Sequence, residues 1–170
     1  MAGALIVTAE MEPADFRWLD ALRREHYPPD RNILPAHLTL FHALPPSAEE
    51  EARRILSLIA GEFPRPAATV PGLMKLGGGT AFRIVSPQLD SIRGAIADHF
   101  HGALSAQDSQ GWAPHVTIQN KASSSEARAL FEKLERGFRP RPLGIRGLAL
   151  NRYLDGPWER IATYSFRGLS

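Results

Sequence analysis

The sequence contains no cysteine, which removes disulfides, thiolate metal sites and cysteine nucleophiles at once. No apolar run approaches the ~18 residues of a membrane span. The short apolar stretch Ala4 to Val7 has no basic segment before it, so a secretory leader is not expected. There is no Gly-x-Ser-x-Gly elbow for Ser/His/Asp catalysis. Gly77-Gly78-Gly79 lacks the Lys-Ser/Thr and the following helix of a phosphate-binding loop, so it reads as a turn. Lysine is scarce, 3 against 17 arginines. What is present is ordinary for a globular protein: 170 residues, 44% apolar and 22% charged. That length fits one domain or two intimately packed halves, and a soluble, cytoplasmic protein with no membrane partner is expected. The net charge of +2 is uneven: Arg136 to Ser170 holds seven arginines against Asp155 and Glu159, which is +5, leaving −3 for the rest. Such a segment suits phosphate groups or a solvated strand face equally.

Hydrophobic spacing repeats along the chain. A strand over 4–10 is followed by a helix from Pro13 to about Tyr27, and His37 to His42 alternates as a strand. Ser47 and Glu50 match a capping box ahead of a helix whose Ala52, Ile55, Leu56, Ile59 and Phe63 form one stripe. Strands over 67–76 and 80–86 follow. The second half has a helix from Pro87, a polar loop over 105–111 and a strand over 114–118. Ser123 and Glu126 then form a second capping-box match, and Ala127, Leu130, Phe131, Leu134 and Phe138 repeat the earlier stripe 75 residues on. Strands over 143–153 and 158–166 close the chain. Leu73 and Leu148 keep the offset of 75, while Arg83 and Arg160 stand 77 apart. This pattern predicts an α+β fold of one bilobal domain, residues 1–170, with an internal duplication. Each pseudo-twofold-related lobe is an antiparallel sheet with helices on its outer face, and the site lies in the cleft between them.

Six histidines and 17 Ser/Thr give about 0.6 chance His-x-[Ser/Thr] matches, so the tripeptide alone means little. Two occur, His37-Leu38-Thr39 and His115-Val116-Thr117, on the same strand of the two copies and each just before a helix. In a strand, residues i and i+2 share a face. His37 and Thr39 therefore face the cleft with His115 and Thr117, while Leu38, Leu40, Val116 and Ile118 pack under the helices. Near neutral pH one imidazole can be neutral and the other protonated, the arrangement a general base and a general acid need at one phosphorus. Threonine hydroxyls suit non-bridging phosphoryl oxygens.

With these paired motifs and the Arg152-Tyr153-Leu-Asp-Gly-Pro-Trp-Glu159 hairpin, the chain resembles the 2H phosphoesterase superfamily over nearly its whole length. That group includes bacterial 2′-5′ RNA ligase-like proteins and 2′,3′-cyclic nucleotide phosphodiesterases. The resemblance implies metal-independent opening of a 2′,3′-cyclic phosphate, on an RNA end or a small nucleotide, to a 2′-phosphate. It also implies 2′-5′ joining or cleavage in some members, and no cofactor. His37, Thr39, His115 and Thr117 are the expected catalytic residues, with neither histidine assigned as acid or base. Phe41 and Gln119 continue the cleft-facing alternation as candidates for stacking on and hydrogen-bonding to a base, and Arg152 and Tyr153 are candidates for phosphate and base contacts. His42 falls on the core side, and His99 and His101, at i and i+2 of one helix, point apart and do not suit a shared metal. The competing reading is a non-catalytic nucleotide or RNA binding module using the same cleft.

Overall fold

A computed structural model describes residues 3–169. The chain runs β1 (Leu5–Met11), α1 (Pro13–His26), β2 (Leu38–Leu44), α2 (Glu49–Glu62), β3 (Ala68–Lys75), β4 (Thr80–Val85), α3 (Pro87–His99), α4 (Ala106–Ser109), β5 (His115–Gln119), α5 (Ser124–Gly137), β6 (Arg141–Leu143), β7 (Ile145–Tyr153) and β8 (Trp158–Ser165). The strands form two four-stranded antiparallel sheets, ordered β2-β1-β7-β8 and β5-β4-β3-β6. This is the expected α+β architecture of two lobes.

Matching the two orders from their edges sets β2 against β5, β1 against β4, and β7 against β3. Each sheet thus takes its outer and second strands from one half of the chain and its third from the other. Leu73 on β3 and Leu148 on β7 occupy corresponding strands, in line with their offset of 75. Arg83 and Arg160 do not correspond. Arg83 lies on the inner strand β4 and Arg160 on the edge strand β8, because β4 opens the second half of the pattern rather than closing the first.

The helices cover the sheets as amphipathic stripes require. Ala52, Ile55, Leu56 and Ile59 of α2 are buried, with the helix against β7 and β8, and Leu89, Ile92, Ile96 and Phe100 are buried along α3. Ala127 and Leu130 of α5 are buried over β3 and β4. Ser123 forms the full capping box with Glu126, worth about 1 kcal/mol to this helix end. The Ser47–Glu50 box does not form. A 3-10 turn over Pro46–Ala48 carries Ser47 before the helix begins, so Ala48 is the cap, and Glu49, Glu50 and Glu51 face the positive end of the helix dipole instead.

The first helix of each half reaches to the other sheet. Arg23 of α1, almost fully buried, donates through Nη1 to the Thr117 carbonyl on β5 at 3.0 Å. Arg93 of α3 donates through Nε to the Leu40 carbonyl on β2 at 2.9 Å. These reciprocal contacts fix the two His-x-Thr strands against the helices. At the Gly77–Gly79 turn, Gly77 has φ +79° and a Cβ on Gly79 would collide with the Gln119 carbonyl, so β4 and β5 can close on each other only with glycine there.

Candidate active site

His37 stands immediately before β2 and His115 opens β5, each fixed by the same device. The Nδ1 of His37 donates to the Pro35 carbonyl at 2.8 Å, and the Nδ1 of His115 donates to the Ala113 carbonyl at 2.8 Å. Because Nδ1 carries the donated proton in both rings, Nε2 is the nitrogen each neutral ring offers as an acceptor. His37, Thr39, His115 and Thr117 line one cavity of about 440 Å³. Leu38, Leu40, Val116 and Ile118 are fully buried beneath them, as strand alternation requires.

The His37 ring is electrostatically perturbed. Burial, opposed by its bond to the Pro35 carbonyl and reinforced by the nearby Arg23, His115 and His42, pushes its pKa from 6.5 down to about 4. At neutral pH it is therefore uncharged. Trp158 forms part of the desolvating wall, its ring 4.7 Å from that of His37.

Beyond the threonines the alternation breaks. Thr39 pairs with Thr8 but Phe41 with Val7, and Thr117 pairs with Ala81 but Gln119 with Thr80. One extra residue on β2 and one on β5 make a bulge just past the threonine in both sheets, which inverts the facing of the residues that follow it, and on β2 a second irregularity between Phe41 and Leu44 turns Leu44 back into the core. Phe41, expected to stack on a base, is 0% exposed and lies in the core beneath the Arg93 guanidinium. Gln119, expected to bond a base, is 5% exposed and does not line the cavity. His42, expected in the core, faces the cavity instead. Its Nδ1 lies 3.0 Å from Oδ1 of Asp108, whose carboxylate also accepts the backbone amides of His42 and Ala43 at 2.9 and 3.0 Å. Burial opposes ionisation of Asp108, but these bonds together outweigh it and hold the carboxyl below the usual range.

Arg152 and Tyr153 also lie outside the cavity. Arg152 is clamped between Glu49 and Glu159, so its charge is already matched within the protein. Tyr153 sits opposite Trp158 in the β7–β8 pairing, and of the two it is Trp158 that reaches the cavity. Two more arginines of the basic C-terminal segment are likewise paired, Arg141 with Asp15 and Arg160 with Glu10. Arg93, Asp108, Trp112 and Trp158 line the cavity without having been singled out by sequence. The polar 105–111 loop holds the one-turn helix α4, and its Gln107, Gln110 and Gly111 form one wall. A second cavity of about 300 Å³ adjoins the first, sharing His37 and Trp158, with Phe16, Leu34, Asn151 and Arg160 in its lining.

Two imidazoles with defined tautomers and two hydroxyls, facing one cavity from matching strands of two sheets, constitute the two-histidine signature. The 2′-5′ RNA ligase superfamily profile matches residues 11–157. The chain belongs to this superfamily, that of the 2H phosphoesterases. No curated protein matches the sequence. In fold, this 2H phosphoesterase is similar to TT0787 of Thermus thermophilus, at 16% identity and a TM-score of 0.63 over 98% of this chain and 100% of that one. It is also similar to E. coli LigT complexed with 3′-AMP, at 15% identity and a TM-score of 0.64 over 98% and 99%. A third likeness is to a phosphoesterase, at 16% identity and a TM-score of 0.61 over 98% and 99%. At these identities the likeness carries the fold. Among the described residues no helix is long and apolar enough to cross a membrane, and no group of three or more His, Asp or Glu is placed to hold a metal ion.

Proposed function

We propose that this protein is a metal-independent 2′,3′-cyclic phosphodiesterase acting in the cytoplasm, which opens the cyclic phosphate of an RNA end or small nucleotide to a 2′-phosphate, with 2′-5′ RNA ligation as a related activity. The observation that carries this reading is the matched fixing of His37 and His115, which leaves two Nε2 atoms for one cavity beside Thr39 and Thr117. The matched connectivity of the two sheets supports a single bilobal unit made by internal duplication. LigT is known in complexes with 3′-AMP, NADP+ and ATP, which supports a nucleotide as the occupant here.

In the reaction, a water oxygen attacks phosphorus as the P–O3′ bond breaks. One imidazole takes the water's proton at Nε2 and the other gives its Nε2 proton to O3′, so the pair ends with its protonation exchanged and resets through solvent. His37, held neutral in the free protein, is the half prepared to take a proton, which leaves His115 to give one. The Thr39 and Thr117 hydroxyls donate to the non-bridging oxygens, whose charge rises in the transition state. This chemistry asks nothing of a metal or cofactor. Ring strain makes hydrolysis the net direction.

The test is hydrolysis, in EDTA, of the four nucleoside 2′,3′-cyclic monophosphates and of a short RNA with a cyclic end. A 2′-phosphate product that disappears in His37→Ala and His115→Ala is expected. Saturable binding without turnover of any of these substrates would replace the enzyme with a nucleotide or RNA binding module.

A further inference from the structure

The cleft holds more nitrogen than one phosphorus needs. His37, His115 and the two threonines already supply a base, an acid and two hydroxyls, yet His42 and Arg93 face the same cavity. Arg93 is half-buried, and His42, whose side chain is 41% exposed to the cleft, is held in place by a buried partner. Asp108, 2% exposed, ties His42 through Nδ1 and leaves Nε2 as the ring atom without a partner among the described residues. Arg93 lies 4.5 Å from the Phe41 ring centre and 5.1 Å from that of Trp112. Its Nε and Nη2 are engaged by the carbonyls of Leu40 and Asp108, at 2.9 and 3.0 Å, while Nη1 has no partner among the described residues. Trp112 is itself pinned, its Nε1 donating to the Thr39 carbonyl at 3.1 Å.

The wall carries one guanidinium and one carboxylate, and the carboxylate is turned inward, its side chain fully buried. Asp108 is the sole carboxylate lining the cavity, and its oxygens are engaged by His42 and Ala43. Gln107 and Gln110 add neutral amide donors. A guanidinium, an imidazole backed by a carboxylate, and amides around an otherwise acid-free space make a receptor for an anion. Its position also matters, because His42 lies three residues beyond Thr39 across the bulge, at most about 10 Å along the strand. That span leaves room for one nucleotide between the threonine and His42.

We propose that His42 and Arg93, with the 107–110 turn, form a second phosphate site that takes the phosphate one nucleotide away from the reacting cyclic phosphate. This deepens the phosphodiesterase reading and rests on it. The phosphate is either the 5′-phosphate of a mononucleotide or the internucleotide phosphate of an RNA end. In both cases the preferred substrate carries two phosphates, and a bare nucleoside 2′,3′-cyclic monophosphate is a poor one.

The experiment compares kcat/KM for adenosine 2′,3′-cyclic monophosphate, the same compound bearing a 5′-phosphate, and a dinucleotide ending in the cyclic phosphate. At least one of the two larger substrates is expected to exceed the first by about tenfold, from added charge-assisted hydrogen bonds. A gain for the 5′-phosphate alone identifies the mononucleotide as the source, and a gain for the dinucleotide identifies RNA. In His42→Gln and in Arg93→Lys that ratio is expected to fall towards one, whatever happens to the absolute rate. Equal kcat/KM for all three substrates, or a ratio unchanged in both variants, overturns the proposal. If no cyclic substrate is turned over, the phosphodiesterase reading has failed, and calorimetry still decides on the second site. Binding of adenosine 2′,5′-bisphosphate about tenfold tighter than adenosine 2′-monophosphate, lost in His42→Gln, supports it, and equal affinities reject it.

Discussion

Trp158 leans its ring against His37 at 4.7 Å and a tilt of 56°, and the same two side chains divide the catalytic cleft from the adjoining cavity. Trp158 excludes water from one side of the imidazole and fixes its plane, so in the proposed reaction it is a positioning residue that works through His37. In Trp158→Ala, kcat/KM is expected to fall about tenfold through lost orientation. NMR titration of the same variant should show the His37 pKa rising from about 4 towards 6.5, since burial is the largest cause of its depression. An unmoved titration would mean that Trp158 does not contribute to the burial of His37.

In the proposed reaction the two histidines share one proton circuit, so their contributions do not add. His37→Ala and His115→Ala are each expected to lower kcat about 10²- to 10⁴-fold, with the double variant little worse than either single one. Thr39→Val and Thr117→Val remove one hydroxyl each and should cost less. Steady-state rates of the four single variants and the histidine double variant check this, and a His37→Ala enzyme with near-normal turnover would remove His37 from the mechanism.

The depressed pKa of His37 has consequences for both rate and stability. If neutral His37 is the base, the acid limb of the kcat/KM profile falls at about pH 4. The unfolded chain, with an ordinary histidine near 6.5, binds more protons than the folded one between those values, so stability rises with pH there. The contribution is fully present above pH 6.5 and is lost as the pH falls through about 4, amounting to at most about 3 kcal/mol for a half-buried ring. Urea denaturation of wild type and His37→Gln at pH 7 and pH 4 measures it, and the pH-dependence should be smaller in the variant.

Arg152 tests the opposite kind of statement. Its guanidinium bridges Glu49 at the start of α2 to Glu159 on β8, outside the cleft. Arg152→Ala is therefore expected to keep kcat/KM within about twofold while loosening a partly exposed ion-pair network. A large rise in KM would return Arg152 to the substrate.

The sequence carried the fold because its elements are strongly periodic. The stripe through Ala52, Ile55, Leu56 and Ile59, and its echo through Ala127 and Leu130, are buried as helical spacing demands. His37, Thr39, His115 and Thr117 were legible for the same reason, since they precede the bulges and obey simple alternation. Phe41, Gln119 and His42 were not, because an inserted strand residue inverts the side chains that follow it and leaves no mark in composition. Asp108 lies 66 residues from His42 and meets it only through tertiary packing, as Arg93 meets Leu40 and Trp112 meets Thr39. Trp158 shows the finest limit: the hairpin was recognised, but which of its facing aromatics turned to the cleft depended on the pairing of Tyr153 with Trp158.

The exchange of third strands between the halves also sets the order in which the molecule can be made. β1 lies between β2 and β7, with Leu5 opposite Arg152, so during synthesis β1 lacks its inner neighbour until β7, about 140 residues later, has emerged. In the meantime its buried residues, Leu5, Ile6 and Val7 among them, have only a two-strand ribbon to shelter in. Pairings this distant in sequence are slow to close and leave sticky strand edges exposed while they wait. Shortening the chain by its last two strands would strip β1 as well as the C-terminus, and the nascent protein depends on that late arrival before it has a cleft at all.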